Sequence, residues 1–326
     1  MKLATLPDGT PDGRLVVVSR DLARAADASH VAATLQVALE RWQQVSPALV
    51  AIYDALNAGR LGNATAFAQG EALAPLPRAW QWLDGSAFPS HGELMDKVFK
   101  VIPERTGRPL MYQGLSHRFL AATADVPFPS ADDGIDFEGE FGVLTDAVPM
   151  NAPAAEAAGH IRLVVQVNDW SLRKIAPIEM KTGFGWIQAK PACSMAPVAV
   201  TPDELGDAWR DCRVHLPLTV HWNNQRFGNA NGGAMAFGFD ELLAYAAYSR
   251  ALCAGTVLGS GTVSNPEYRE IGSSCIAERR GIEVVDEGAA RTDYMRFGER
   301  VRMEVIDARG QSVFGAIDQQ VVALQR

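Results

Sequence analysis

The spacing of apolar residues predicts a mixed first quarter of the chain and a strand-rich remainder. Two apolar runs, residues 2–6 and 15–19, flank a segment with two Asp-Gly steps, which predicts a β-hairpin. Over residues 29–57 apolar residues recur at every third or fourth position, as on one face of a helix. Pro47 favours two helices over one here, because proline lacks the backbone N–H that a helix interior needs.

A change of pattern at residues 74–89 predicts a boundary between two domains. The sequence there, PLPRAWQWLDGSAF, mixes Pro, Gly and Trp and is typical of a connector. We therefore expect a small mixed domain over residues 1–78 and a larger one over residues 79–326. The larger part contains one clear amphipathic helical pattern, residues 238–252, among several β-branched runs. These runs predict strands at residues 139–145, 161–168, 214–222, 254–259 and 300–306.

Composition and charge narrow the class of protein. With 48% hydrophobic and 21% charged residues, the 326-residue chain is typical of a folded globular protein, and the elements above predict a strand-rich α+β fold. A net charge of -8 argues against general nucleic-acid binding, which needs a basic surface. No apolar run reaches the roughly 18 residues of a membrane span, and the first residues do not resemble a secretory signal. We therefore expect a cytoplasmic protein with no nucleic-acid or membrane partner.

Three acidic residues form the most informative chemical pattern. Glu138 and Glu140 stand two apart in DFEGEFGVLTD, so a strand there would point both carboxylates to the same side. Asp169 follows a run that reads as a buried strand, where an acid needs a cation or a partner such as Arg173. Oxygen ligands favour a hard divalent cation such as Mg, Ca or Mn. An ordinary solvated strand face remains the alternative for the two glutamates.

The residues around these acids carry a family resemblance. The segments DFEGEFGVL, VNDWSLRKI, GFGWIQAKP, GSGTVSNPE and IGSSCIAE resemble the fumarylacetoacetate hydrolase family in order and approximate spacing, from about residue 75 to the end. The resemblance implies a β-roll of mixed sheets and, usually, a homodimer. It also implies a divalent cation, commonly Mg or Ca, held by Glu138, Glu140 and Asp169.

The resemblance also implies roles for four further side chains. In these enzymes a histidine ahead of the E-x-E segment works with a late glutamate to activate water, and the matching positions are His117 and Glu278. Arg173 and Lys190 match cationic groups that face the negative charge developing on the substrate. These four residues are therefore the expected catalytic groups.

Two positions match substrate-contacting residues of the family, and two depart from it. Tyr112 and Thr262 match the substrate contacts. An aspartate that often serves as a fourth metal ligand, two residues before the matched tyrosine, is replaced by Leu110. A substrate-contacting glutamine three residues after Arg173 is replaced by Ala176. A metal is compatible with these changes, but they leave the acyl group of the substrate undefined.

The resemblance leads to one expected activity and two alternatives. We expect metal-dependent hydrolysis of a carbon-carbon bond in fumarylacetoacetate or a related acylpyruvate, a small diketo acid, as in tyrosine and other aromatic breakdown. In this scheme His117 and Glu278 activate the attacking water, and the metal stabilises the enolate that leaves. One alternative is a lyase of the same family, such as an oxaloacetate decarboxylase, a 2-keto acid dehydratase or an isomerase. The other is a non-catalytic protein that binds a metal or a dicarboxylate.

Overall fold

The computed structural model describes residues 1–99 and 107–325. Its strands are β1 (Lys2–Leu6), β2 (Arg14–Val18), β3 (Arg24–Asp27), β4 (Thr65–Ala66), β5 (Gln81–Ser86), β6 (Leu110–Gln113), β7 (Val126–Phe128), β8 (Ile135–Asp136), β9 (Gly139–Thr145), β10 (Ile161–Asn168), β11 (Ser171–Leu172), β12 (Ser194–Met195), β13 (Ala199–Val200), β14 (Trp209–Arg210), β15 (Arg213–Val214), β16 (Pro217–Trp222), β17 (Gln225–Asn231), β18 (Thr256–Gly259), β19 (Arg300–Val305) and β20 (Ile317–Ala323). Its α-helices are α1 (Leu35–Glu40), α2 (Trp42–Asn57), α3 (Pro89–Phe99), α4 (Ala154–Ala158), α5 (Ala176–Met180), α6 (Phe239–Ala247), α7 (Tyr268–Ile271) and α8 (Ile276–Glu287). Within the described ranges, these helices include none that is both long and apolar enough to cross a membrane.

Two mixed sheets organise the fold. The larger one runs β4-β3-β2-β1-β13-β10-β9-β18-β5-β6, with β12 also paired to β10. Its pairs are antiparallel except for β5 with β18, which are parallel. The second sheet runs β17-β16-β19-β20-β7 and has one parallel pair, β7 with β20. The expected strand-rich α+β fold with mixed sheets is therefore confirmed.

The N-terminal part joins the larger sheet directly. The predicted hairpin forms as β1 and β2, and Leu3 of β1 also pairs with Ala199 of β13. Two helices occur over residues 29–57 as expected, but they separate at Arg41, while Pro47 lies inside α2. The boundary between residues 78 and 79 stays a prediction, and hydrogen bonding between strands continues across it.

The predicted connector at residues 74–89 is wrong for its second half, which forms β5. This strand lies between β18 and β6, and its Trp82, Leu83 and Asp84 are buried. A strand that is covered on both faces has no polar and apolar alternation, so its sequence pattern is weak. The Asp-Gly pair at 84–85 imitates a turn signal, although it lies within the sheet.

Two helices missed from the sequence pack together beside the larger sheet. Helices α3 and α8 meet through Leu94, Met95 and Ile282. Their close approach depends on Gly281, because a Cβ there would lie 2.8 Å from Met95 Cε and 3.3 Å from Leu94 Cγ. This contact brings the first turn of each helix to one end of the site.

Candidate active site

Three carboxylates on or next to three strands of the larger sheet meet below the surface. Glu140 lies on β9, Asp169 directly follows β10, and Asp84 lies on β5. One carboxylate oxygen from each of the three lies within 4.8 Å of the others, and all three residues are buried. Strand β18 runs between β9 and β5, and a Cβ on its Gly259 would lie 2.5 Å from Asp84 Oδ1 and 3.0 Å from Glu140 Oε2. Glycine at this position therefore lets the carboxylates approach across the strand.

The carboxylate group fits a hard divalent cation. Both carboxylate oxygens of Glu140 are buried and have no hydrogen-bond partner among the described residues. Burial, and then the charge of Asp169, raise the pKa of Asp84 well above its usual value. Burial, and then the charges of Asp84 and Asp169, raise the pKa of Glu140 in the same way. A cation removes both penalties, and an all-oxygen donor set suits Mg, Ca or Mn.

Glu138 lies beside the carboxylate group and faces cationic side chains. Its Oε1 accepts hydrogen bonds from Lys190 Nζ at 2.6 Å and from Ser171 Oγ at 2.5 Å. Arg173 Nη2 lies 3.1 Å from Glu138 Oε2. Burial alone would raise the pKa of Glu138, but Arg173 and Lys190 hold it well below its usual value. Its part as a metal ligand stays a prediction, because the three carboxylates that lie within 4.8 Å of one another are those of Asp84, Glu140 and Asp169.

The structure brings the two predicted cationic groups into the site. Lys190 Nζ pairs with Asp169 as well as with Glu138, and these charges raise its pKa despite the cost of burial. Arg173 Nε donates to Asp136 Oδ2 at 2.8 Å. The same Asp136 accepts hydrogen bonds from two backbone N–H groups at the start of α8. Asp136 therefore fixes Arg173 to the helix that also carries Glu278.

The predicted substrate contacts also reach this site. Tyr112 Oη donates to Asp169 Oδ2 at 2.8 Å, and Thr262 Oγ1 donates to Glu138 Oε2. Both residues line the cavity described below. Their hydroxyls therefore orient two of the acids.

The structure does not bring His117 together with Glu278. His117 is exposed in the segment after β6, whereas Glu278 is fully buried in the first turn of α8. The histidine near Glu278 is His91, in the first turn of α3, with Nδ1 3.7 Å from Glu278 Oε1. His91 Nδ1 and Glu278 Oε2 are buried without a hydrogen-bond partner among the described residues. Ser264 Oγ donates to Glu278 Oε1.

Sequence reasoning missed Asp84 and His91, seven residues apart. Both lie in or next to the segment predicted as a connector. Leu110, the position where a fourth acidic ligand was sought, is exposed at the start of β6. The usable signal was Pro89, since proline is common at the first position of a helix and would have marked the start of α3.

A cavity of about 610 Å³ joins these groups. Its titratable residues other than Tyr112, which we call the floor, are mostly buried: Asp84, His91, Glu138, Glu140, Arg173 and Lys190. Its apolar residues, which we call the rim, include the most exposed ones: Leu110, Met111, Ala176, Met180 and Trp186. The cavity therefore changes from charged to apolar toward solvent.

Two family descriptions together match almost the whole chain. Fumarylacetoacetate (FAA) hydrolase C-terminal matches residues 81–322, and Fumarylacetoacetase N-terminal domain 2 matches residues 1–78. A curated relative, 2,4-didehydro-3-deoxy-L-rhamnonate hydrolase of Sphingomonas sp. (strain SKA58), is 27% identical over 47% of this chain and 52% of that protein. The chain thus spans about half the length of the curated relatives it matches.

Solved structures share the fold over the full chain. A putative HpcE protein from Mycobacterium smegmatis matches with a TM-score of 0.68 at 17% identity, covering 100% of both chains. Maleylpyruvate hydrolase from Sphingobium sp. SYK-6, in complex with manganese (II) ion and pyruvate, matches with a TM-score of 0.68 at 14% identity, again over 100% of both chains. Because the first family description covers well over half of its residues, the chain belongs to the fumarylacetoacetate hydrolase family.

Proposed function

We propose that this protein hydrolyses a carbon-carbon bond in an acylpyruvate, a diketo acid of the form R-CO-CH₂-CO-COO⁻. Water adds to the acyl carbonyl, and the products are R-COO⁻, pyruvate and one proton. The observation that carries the proposal is the meeting, at one cavity lined by Asp84, Glu140 and His91, of an all-oxygen carboxylate group with a histidine-glutamate pair. The first holds a diketo acid through a cation, and the second accepts a proton from water.

The metal in this proposal is a divalent cation such as Mn, Mg or Ca. Asp84, Glu140 and Asp169 would hold it, with Glu138 next to them. When bound, the cation supplies Lewis-acid polarisation of the substrate carbonyls. Support comes from the donor chemistry of the three acids and from the manganese in the maleylpyruvate hydrolase of the same fold.

His91 is the proposed base, in place of the exposed His117. A neutral imidazole accepts a proton near pH 7, and Glu278 orients it through Nδ1. Nδ1 lies 3.7 Å from the carboxylate, which is beyond hydrogen-bond length, and catalytic contacts of this kind often tighten only when substrate binds. The water proton moves to Nε2 as the new carbon-oxygen bond forms.

Lys190 and Arg173 are the proposed donors to the charge that develops next. The bond between the acyl carbon and the CH₂ group breaks, and its electron pair passes into the enolate of pyruvate. Lys190 Nζ carries three N–H donors, so it can serve the substrate while it pairs with Glu138 and Asp169. The proton held by His91 returns to the enolate carbon and completes pyruvate.

A panel of substrates tests the proposed reaction. The protein is stripped with EDTA, reloaded with Mn, Mg or Ca, and given acetylpyruvate or oxaloacetate. Loss of the diketone absorbance with equimolar pyruvate, only after metal is restored, is the expected result. Turnover of oxaloacetate alone would favour the lyase reading instead. If neither compound is consumed with any metal, hydrolysis of acylpyruvates is excluded and a binding role remains.

A further inference from the structure

The rim of the cavity presents exposed carbon, and the acyl group would project toward it if the diketo group binds the cation at the floor. Leu110 is 72% exposed and Met180 is 54% exposed, although both are large apolar side chains. Such exposure at the mouth of a cavity is costly in water and is relieved when an apolar ligand covers it. The rim therefore favours apolar ligand groups, whereas the floor favours charged ones.

Two aromatic side chains of the cavity, Tyr112 and the rim residue Trp186, form one of its walls. The rings of Tyr112 and Trp186 meet edge to face with centroids 4.8 Å apart. The polar atoms of both are already used, since Tyr112 Oη donates to Asp169 and Trp186 Nε1 donates to the carbonyl oxygen of Ala176 at 3.3 Å. The wall thus offers the substrate ring surface rather than hydrogen bonds.

The permanent positive charges among the described lining residues lie at the floor of the cavity. Among the described lining residues, the permanent cations are Arg173 and Lys190. Arg173 pairs with Asp136 and Glu138, and Lys190 pairs with Glu138 and Asp169. A second carboxylate on the acyl group would lose water at the rim, where no cation is among the described lining residues, and this loss is unfavourable.

Hydrogen bonds between the Glu179 side chain and backbone N–H groups also hold the rim in position. The carboxylate of Glu179, in α5, accepts hydrogen bonds from the N–H groups of Ile187, Gln188 and Ala189 at 2.9 to 3.0 Å. These bonds tie the end of the 181–189 segment back to the helix that carries Met180. Met180 on the helix and Trp186 in the segment are therefore held in position before the substrate binds.

We infer that the preferred substrates are acylpyruvates whose acyl group is uncharged and apolar, a branched or straight alkyl chain or an aryl ring. This rests on the proposed hydrolysis and adds the class of acyl group. It separates the chain from the maleylpyruvate hydrolase of the same fold, whose named substrate has a second carboxylate. Met180, Leu110 and Trp186 are the residues that would determine this preference.

A pair of substrates of nearly the same shape tests the inference. Succinylpyruvate ends in a carboxylate, and 4-methylpentanoylpyruvate replaces that carboxylate with an isopropyl group. We expect kcat/KM for the isopropyl compound to be at least about tenfold higher. Equal values, or a preference for succinylpyruvate, would overturn the inference and leave the proposed hydrolysis intact. Failure to cleave either compound, with metal present, would remove the proposed function itself.

Two arginine variants of α5 test whether the rim determines the preference for the isopropyl compound over succinylpyruvate. Met180→Arg places a cation at the rim. It should lower the ratio of kcat/KM for the isopropyl compound to kcat/KM for succinylpyruvate at least about tenfold, because the terminal carboxylate of succinylpyruvate then gains a partner. Ile178→Arg adds the same charge on the same helix at a side chain that is 68% exposed and is not among the described lining residues. The control should keep the wild-type ratio at about 0.15 M salt, where distant charges are screened. Equal shifts in both variants, or none in either, would refute a role for the rim.

Discussion

The site is supplied by two regions that differ in how directly the sequence reveals them. Strands β9 and β10 are neighbours, and their predicted bounds, residues 139–145 and 161–168, are those of the structure. They place Glu140 and Asp169 together through a simple pairing, because Glu140 lies opposite Val167, two residues before Asp169. The other region, β5 with α3 and α8, supplies Asp84, His91 and Glu278 from distant parts of the chain. The local sequence pattern is enough to predict the first region, whereas the second can be located only from tertiary packing.

The largest effect is expected from replacing His91, the proposed base, which differs from His117, the base expected from the sequence. His91→Ala should lower kcat for an acylpyruvate by about 10²- to 10⁴-fold, the usual contribution of a general base. His117→Ala is the matched control and should keep wild-type turnover, because His117 is exposed and lies away from Glu278. Both variants are assayed at saturating substrate with Mn, after circular dichroism has confirmed folding. A large loss in His117→Ala with none in His91→Ala would restore the base expected from sequence.

The next effect tests whether the missed strand supplies a metal ligand. Asp84→Asn keeps the shape of the side chain but removes its charge from the carboxylate group, so affinity for Mn should fall by about 10- to 100-fold or more. Titration calorimetry of the metal-stripped protein measures this directly. Leu110→Asn is the control, since Leu110 is the position at which the aspartate was expected and it lies exposed. Unchanged affinity in Asp84→Asn would show that the metal site is confined to β9 and β10.

The contrast between the two regions explains which parts of the site could be predicted from the sequence and which could not. The E-x-E spacing predicted that Glu138 and Glu140 share one space, and the strand periodicity needed for this is local. It did not distinguish Glu140, which joins the carboxylate group, from Glu138, which faces Lys190 and Arg173. That distinction depends on which side chains arrive from other elements. Spacing along one strand carries no information about them.

Asp84 and His91 were missed for a related physical reason. The segment from Trp82 to Gly85 is short, buried and interrupted by residues typical of turns, so its strand character comes from pairing with β18 and β6. The family resemblance indicated an acid and a histidine ahead of E-x-E, at or after β6, whereas the proposed ligand Asp84 and the proposed base His91 lie on β5 and α3. In the sheet order β5 lies beside β18, while β6 is the last strand.

A smaller effect is expected from the contact that assembles the second region. Gly281→Val adds a side chain where a Cβ would lie 2.8 Å from Met95 Cε and 3.3 Å from Leu94 Cγ, so the side chains of α3 must shift and the contact between α3 and α8 is disturbed. Overpacking of this kind costs about 1 to 3 kcal/mol of stability. Because His91 is on α3 and Glu278 on α8, kcat should fall about tenfold while Mn affinity is kept.

The readouts of Gly281→Val separate the two regions. Thermal unfolding, kcat and Mn titration are measured on the same preparation. Val285→Ala is the control, since Val285 lies on the exposed side of α8. An equal loss of metal affinity and turnover in Gly281→Val would mean that the helix pair supports the whole site, and the division between the two regions would then be wrong.

The smallest effect concerns the hydroxyl that supports Glu278 from within the second region. Ser264 Oγ donates to Glu278 Oε1 and accepts from Ser90 Oγ at 2.9 Å, which links the glutamate to the residue next to His91. Ser264→Ala removes one donor from a buried carboxylate and should cost about 1 to 3 kcal/mol of unfolding free energy. Turnover should fall only a few-fold, because His91 and Glu278 both remain, and KM should not change. Denaturant unfolding and steady-state kinetics measure the two effects, and Ser264→Thr should recover turnover by restoring the hydroxyl. A loss of turnover as large as that of His91→Ala would instead place Ser264 itself in contact with the reacting water.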